Sequence, residues 1–262
     1  MKGFIRVASI LLVAGAVAAR ADTHGVPAHR PPPDEYGQVV MDNFATTSGI
    51  AAVRFDHWLH RSEYTCRVCH VDLGFAMQAG ATRVREVDNR HHQYCGACHD
   101  GKEAFAVAPS GYDAESQKVC VRCHAVGERV TPRPDFYTFT EGFPKTLYGN
   151  RIDWLAAQRR GQIKLKDTVP GVTRRRRPIR HQGETVFAAR DLQMPEIVFS
   201  HPKHAVWVGC ELCHPAIFPV EPGADKISMQ AIFEGRYCGV CHGKVSFPLD
   251  FDCRLCHTRD VY

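Results

Sequence analysis

The chemistry of this 262-residue chain is carried by twelve cysteines, and none of them stands alone. They form six C-x-x-C pairs, and each pair is followed directly by histidine: CRVCH (Cys66 to His70), CGACH (Cys95 to His99), CVRCH (Cys120 to His124), CELCH (Cys210 to His214), CGVCH (Cys238 to His242) and CRLCH (Cys253 to His257). Zinc sites and redox-active dithiols also use C-x-x-C, and an exported disulfide framework uses many cysteines, but none of these demands a histidine after every pair. Covalent attachment of haem c does. Two thiols bond to the porphyrin vinyl groups, and the adjacent histidine reaches the iron. The pattern therefore predicts six covalently attached haem c groups. Their attachment residues are Cys66, Cys69, Cys95, Cys98, Cys120, Cys123, Cys210, Cys213, Cys238, Cys241, Cys253 and Cys256, and the proximal iron ligands are His70, His99, His124, His214, His242 and His257.

Residues 1–21 read as a secretory signal peptide. A basic start (Lys2, Arg6) precedes an apolar run from Val7 to Ala19 and Ala-Arg-Ala before Asp22. The alternative is an uncleaved anchor, for which the run is short. Removing 21 of 262 residues leaves 241, about forty for each haem, which is too few for six ordinary aliphatic cores. The porphyrins must then form much of the core, lined by rings such as Phe55, Phe105, Phe199, Phe233 and Phe247. Net charge is +5 and falls to +2 once Lys2, Arg6 and Arg20 leave with the signal. Two propionates per haem turn the ferrous holoprotein negative by roughly ten charges, so the basic sequence is no sign of nucleic-acid binding.

The elements that position these motifs repeat. Val53 to His70 (VRFDHWLHRSEYTCRVCH) aligns without gaps on Ile197 to His214 (IVFSHPKHAVWVGCELCH), and Arg85 to Asp100 aligns on Ser228 to Gly243. Each half closes with a third motif, which gives a duplicated three-haem module. The expected organisation is a signal peptide (1–21), an extended leader (22–52) containing HRPPPDE, a first trihaem module (53–125), a linker (126–196) and a second trihaem module (197–260). In the linker, Asn150 as N-cap with Asp153 at N3 predicts one helix with Ile152, Leu155 and Ala156 on one face, stopped by Gly161. The basic run TRRRRPIR (Thr173 to Arg180) is a solvated loop or a docking patch for an acidic partner or haem propionates.

F-x-H-x-x-H followed by three C-x-x-C-H motifs resembles the cytochrome c7 three-haem module, itself related to the four-haem cytochromes c3. The resemblance covers both modules but not the linker. It implies a mostly irregular, haem-cored fold with short helices and small two-stranded hairpins, and a role in electron transfer. It also implies the distal ligands. His57 and His201 serve the haems of His70 and His214, while His60 and His204 cross to those of His99 and His242. The haem of His124 takes His91 or its neighbour His92, and His91, four residues ahead of Cys95, is the choice.

Fifteen histidines less six proximal ones leave His24, His29, His57, His60, His91, His92, His181, His201 and His204. Five are placed as distal ligands, and the haem of His257 lacks one because Glu234 and Gly235 stand where the early copy has His91 and His92. Met229, nine residues before Cys238 on an expected helix with Ile232 and Phe233, is the chosen ligand, as in some tandem relatives of the module. A thioether raises reduction potential relative to a second imidazole. His181 is its rival, Met77 a weaker candidate, and core filler the plain alternative for Met229.

An iron with two protein ligands cannot bind a substrate, so the expected function is a non-enzymatic electron carrier. It would work in extracytoplasmic, anaerobic respiration, in the periplasm or at the outer surface of a bacterium. Its partners would be redox proteins, with no nucleic acid and no membrane span in the mature chain, and an outer-membrane complex or self-assembly is compatible. The alternatives are a multihaem reductase with an open sixth haem, and a conducting-filament subunit in which His24 or His29 ligates a neighbour's haem.

Overall fold

The computed structural model describes residues 30–107, 114–127, 134–174, 183–189, 194–221, 223 and 226–260. The expected signal peptide, the start of the leader (22–29) with His24 and His29, and residues 175–182 with His181 and most of the basic run lie outside the described residues. From Pro31 onward the chain forms one compact unit.

Both modules are built on a hairpin. β1 (Gln38–Met41) pairs antiparallel with β2 (Val53–Asp56), Val39 opposite Phe55. β2 leads without a loop into α1 (His57–Arg61), which carries both histidines of F-x-H-x-x-H. The first module continues with α2 (Glu86–Arg90) and α3 (Ala114–Cys123). The linker supplies α4 (Phe136–Phe139) and α5 (Trp154–Arg159). The second module repeats the hairpin with β3 (Glu184–Phe187) and β4 (Glu196–Ser200), Thr185 opposite Phe199. It adds α6 (His201–Val208), α7 (Met229–Phe233) and β5 (His257–Arg259). Thus the first strand of each hairpin comes from the sequence preceding its module.

The third motif of each module docks on its own hairpin. His124 bridges Val53, and the equivalent His257 pairs with Ile197. In the second module this contact extends to Glu196 opposite Arg259, so that sheet has three strands where two were expected. An ion pair from Arg259 to Glu196 at 3.6 Å accompanies the extension.

The linker folds into an aromatic core of its own. Trp58 of α1, Phe136, Ile152, Trp154, Ala157, Ile163 and Trp207 of α6 pack together, with Leu59, Cys66, Phe143, Leu165 and Val208 against them. Phe136 meets Trp58 edge-on at 5.2 Å, and Phe143 meets Trp154 at 6.0 Å. Burying each large ring is worth about 2–3 kcal/mol, so this segment docks on both modules as a folded body. It holds two short helices, and α5 begins later than the sequence suggests. Asn150 Oδ1 accepts from the Trp154 indole N–H at 3.0 Å, so Asp153 becomes the N-cap, accepting from the Ala156 N–H at 2.9 Å. Its buried face is Trp154, Ala156 and Ala157 beside Ile152, while Leu155 turns outward. Gly161 follows the helix at φ 72°.

Candidate haem centres

The histidines are prepared by their backbones before any metal is considered. Proximal His70, His99 and His214 donate Nδ1–H to the carbonyls of Phe75 (2.8 Å), Phe105 (3.1 Å) and Phe218 (2.8 Å). His124 and His257 donate to Ala51 and Pro195, both at 2.6 Å, and these two carbonyls occupy matching places, two residues before Val53 and two before its repeat counterpart Ile197. His57 donates to Gly37 (2.6 Å), His60 to Asp56 (3.2 Å), His201 to Gly183 (3.3 Å) and His204 to Ser200 (2.9 Å). A carbonyl can only accept, so each of these rings carries its hydrogen on Nδ1 and leaves Nε2 with a free lone pair, the form in which imidazole binds a metal. His242 differs: its Nδ1 is buried beside the Phe247 carbonyl without a well-formed hydrogen bond.

Three histidine pairs lie at one common ring spacing. The ring centroids lie 6.4 Å apart for His57 and His70, 6.4 Å for His60 and His99, and 6.3 Å for His204 and His242. Two imidazoles on opposite sides of one metal have centroids about 6.3 Å apart, given metal–nitrogen bonds of about 2.0 Å. The interval is too wide for ring stacking, and an iron with its porphyrin plane fits it. The crossing pairs repeat closely, tilted by 60° and 58°, while His57 and His70 are parallel to within 6°. Among the described residues no such ring contact joins His201 to His214 or His91 to His124.

Phenylalanines aim the distal rings. Phe55 stacks on His60 at 4.3 Å, and Phe199 on His204 at 4.3 Å. The same two rings meet His57 and His201 edge-on, each at 4.9 Å. Phe105 and Phe247 pack on proximal His99 and His242 at 4.4 and 4.1 Å. Phe233, grouped with these in the sequence, is instead 58% exposed in this structure.

Burial keeps these imidazoles neutral. It pushes the imidazoles of His57 and His242 down to about 4, and it lowers His70, His99 and His204 as well. The same desolvation raises the thiols, to about 12 at Cys69, Cys95 and Cys241 and to about 11 at Cys238. Buried thiols of this kind are poor nucleophiles toward solvent.

The two copies of the second motif share one backbone. α2 and α7 each end at a close approach to the glycine of C-G-x-C. A Cβ on Gly96 would lie 1.8 Å from the Asn89 carbonyl oxygen, and one on Gly239 would lie 1.9 Å from that of Ile232. Tyr94 and Tyr237 both take left-handed φ, 47° and 51°. So do His92 at 57° and its counterpart Gly235 at 85°, which marks this position as a left-handed turn that glycine fits best. His91 is exposed at the end of α2. Its counterpart Glu234 is held at the surface by Arg236 (2.7 Å) and Gln230 (2.9 Å). Met229 opens α7 after Ser228, whose hydroxyl accepts from the Ala231 N–H at 3.2 Å; Met229 is half-buried, with Ala231 and Ile232 buried further along the helix. Met77 is half-buried in an irregular stretch.

Several contributors lie outside the sequence motifs. Gly37 and Gly183, each immediately before the first strand of its hairpin, supply the carbonyls that hold His57 and His201. Their signal is a second, weaker repeat, Gly-Gln-Val-Val against Gly-Glu-Thr-Val. Arg67, inside the first motif, is buried and ion-paired with Asp72 at 3.3 Å and with the linker's Asp167 at 2.9 Å. Arg61 lies with its guanidinium between Trp154 and Trp207, 5.0 and 5.1 Å from their centroids.

Paired cysteines each followed by histidine, a metal-ready tautomer at nine histidines and three imidazole pairs at the spacing of a shared metal define a multihaem c-type cytochrome with covalently bound haem. The family model described as cytochrome c7 and related cytochrome c matches residues 53–125 and 197–258, together more than half of the chain. The chain belongs to this family of electron-transfer proteins. Among solved structures it is similar to a C-terminal hexaheme fragment of GSU1996, with 25% identity over 87% of this chain and 99% of that one and a TM-score of 0.27. It is also similar to the dodecaheme cytochrome c GSU1996 itself, with 25% identity over 88% of this chain and 50% of that one, TM-score 0.27. A c7-type three-heme cytochrome domain shares 35% identity over 36% of this chain and 95% of its own length, TM-score 0.27. No curated protein matches. Among the described residues no helix is long and apolar enough to cross a membrane.

Proposed function

We propose that the chain binds six haem c groups in two tandem modules and works as an exported electron carrier, taking electrons from one redox protein and delivering them to another in anaerobic, extracytoplasmic respiration. The observation that carries this reading is the set of three imidazole pairs with centroids 6.3–6.4 Å apart. Haem c supplies a one-electron couple at each iron, and the chain sets its potential through ligand identity, burial and nearby charge. Each C-x-x-C pair anchors one group through thioethers, and the following histidine binds on the proximal side. On the distal side His57 serves with His70, His60 with His99, His91 with His124, His201 with His214, His204 with His242, and Met229 with His257.

This arrangement, with two protein ligands for every iron, would suit electron transfer and leave no substrate site. Its least symmetrical member is Met229. Glu234 is engaged at the surface, so the second module has no histidine where the first has His91. A thioether from α7 then completes the sixth site and raises its potential above the others. Near-infrared spectroscopy of the ferric holoprotein tests the assignment. A His–Met charge-transfer band is expected in the wild type and should vanish in Met229→Ala, with the highest-potential haem shifting downward in a redox titration. A wild-type protein without the band would overturn Met229 as ligand.

A further inference from the structure

Two separate links join the first motif of module one to the second motif of module two. Arg61 Nη1, from α1, donates to the Val245 carbonyl at 2.8 Å, and the Val245 N–H in turn donates to the Cys241 carbonyl at 3.0 Å. On the other side, His57 donates to Gly37, and the adjoining Tyr36 hydroxyl donates to the Ser246 carbonyl. Ser246 is itself bridged to His242. The distal ligand and helix of one site are thereby tied to the attachment loop of another, across the boundary between modules.

Arg61 differs from the other buried cation in the region. Arg67 is neutralised by Asp72 and Asp167, whereas Arg61 has no carboxylate partner among the described residues. Its guanidinium is stacked between the indoles of Trp154 and Trp207, and its Nε is sealed from solvent with no acceptor. Cys66 packs against the same aromatic cluster. The hydrogen bond to Val245, whose N–H donates to the Cys241 carbonyl, brings the guanidinium to the second attachment loop as well. A cation screened from water by two rings interacts far more strongly with neighbouring charge than a surface one does.

We propose that Arg61 is a buried positive charge at the junction of the two modules, held by Trp154 and Trp207 between the attachment sites of Cys66 and Cys241. It raises the reduction potential of the haems bound there and makes this junction the crossing point for electrons between modules. The proposal rests on reading both motifs as haem attachment sites. Reduction adds one electron and makes or breaks no bond, so a fixed cation beside a site favours the reduced form directly. Burial pushes the Arg61 guanidinium down from its ordinary value, and arginine suits the role because that value starts so high and its planar guanidinium stacks on indoles.

The test uses six-haem holoprotein, with Arg61→Met and Arg61→Lys compared to the wild type in redox titrations that resolve individual haems by NMR. Arg61→Met should shift the reduction equilibrium toward the oxidised form by roughly tenfold, about 59 mV for a one-electron couple, at the haems of His70 and His242 and less at the other four. Arg61→Lys should fall between wild type and Arg61→Met, since lysine offers a cation but cannot stack as the guanidinium does. If Arg61→Met does not mature, the wild type still decides: reducing one of these two haems should lower the potential of the other more than for any other pair drawn across the modules. Equal shifts at all six haems, no shift at all, or a stronger coupling between a different cross-module pair would each overturn the proposal. A wild type with fewer than six haems or without reversible titration would instead overturn the underlying haem reading.

Discussion

Replacing Gly239 with alanine probes how the second motif of each module is seated. The new Cβ would lie 1.9 Å from the Ile232 carbonyl oxygen and 2.9 Å from its carbon. That is well over 1 Å inside the roughly 3.5 Å at which non-bonded atoms rest. The obstacle is helix backbone, which no side-chain rotation can move, so α7 and the attachment loop must separate. Overpacking of this kind costs about 1–3 kcal/mol, and a backbone obstacle places Gly239→Ala near 3. For a domain of this size that lowers the melting temperature by about 6–12 °C. Because α7 also carries Met229, the displacement should weaken the His–Met band in the same variant. Gly96→Ala, facing the Asn89 carbonyl at 1.8 Å, should show the same thermal loss in the first module. Gly183→Ala is the control: its Cβ meets nothing within 4 Å and its φ is not left-handed, so it should change stability by less than about 0.5 kcal/mol. Calorimetry of the holoproteins decides the matter. Melting temperatures of Gly96→Ala and Gly239→Ala that match the Gly183→Ala control would refute the reasoning.

The neighbouring histidines should separate cleanly. His91→Ala should convert one ferric haem from low to high spin in electron paramagnetic resonance, while His92→Gly should leave every haem low-spin and gain up to about 1 kcal/mol by relieving a left-handed φ. Arg67→Met removes the cation from a buried ion-paired network and should cost about 3–5 kcal/mol in thermal unfolding. Trp154→Ala should cost about 3–5 kcal/mol by emptying the centre of the linker core, against a near-neutral Leu147→Ala at a side chain that is 81% exposed.

What the sequence makes legible is what chemistry holds fixed. Haem attachment demands Cys, Cys and His at constant spacing, and F-x-H-x-x-H keeps its spacing because one short helix must present two imidazoles and one strand must deliver the phenylalanine that stacks on them. The hairpins follow from the same repeat, although β1 and β3 lie outside the conserved spacing and show only a faint Gly-x-x-Val echo. The linker core was not legible. Trp58, Trp154 and Trp207 are far apart in sequence, and each is explicable locally as haem lining. The helix start at Trp154 was misplaced because Asn150 and Asp153 are both good caps, and only the tertiary position of the Trp154 indole decides which is free. Arg61 reads as an ordinary surface arginine following a ligand until Val245 and two indoles are found around it.

The account stands on every iron having two protein ligands, and carbon monoxide titration of the fully reduced holoprotein measures that directly. The predicted result is an absorption spectrum unchanged by carbon monoxide across the whole titration. A spectrum that shifts with one equivalent bound per chain would mean an open iron, and would contradict the reading of this cytochrome as a carrier of electrons alone.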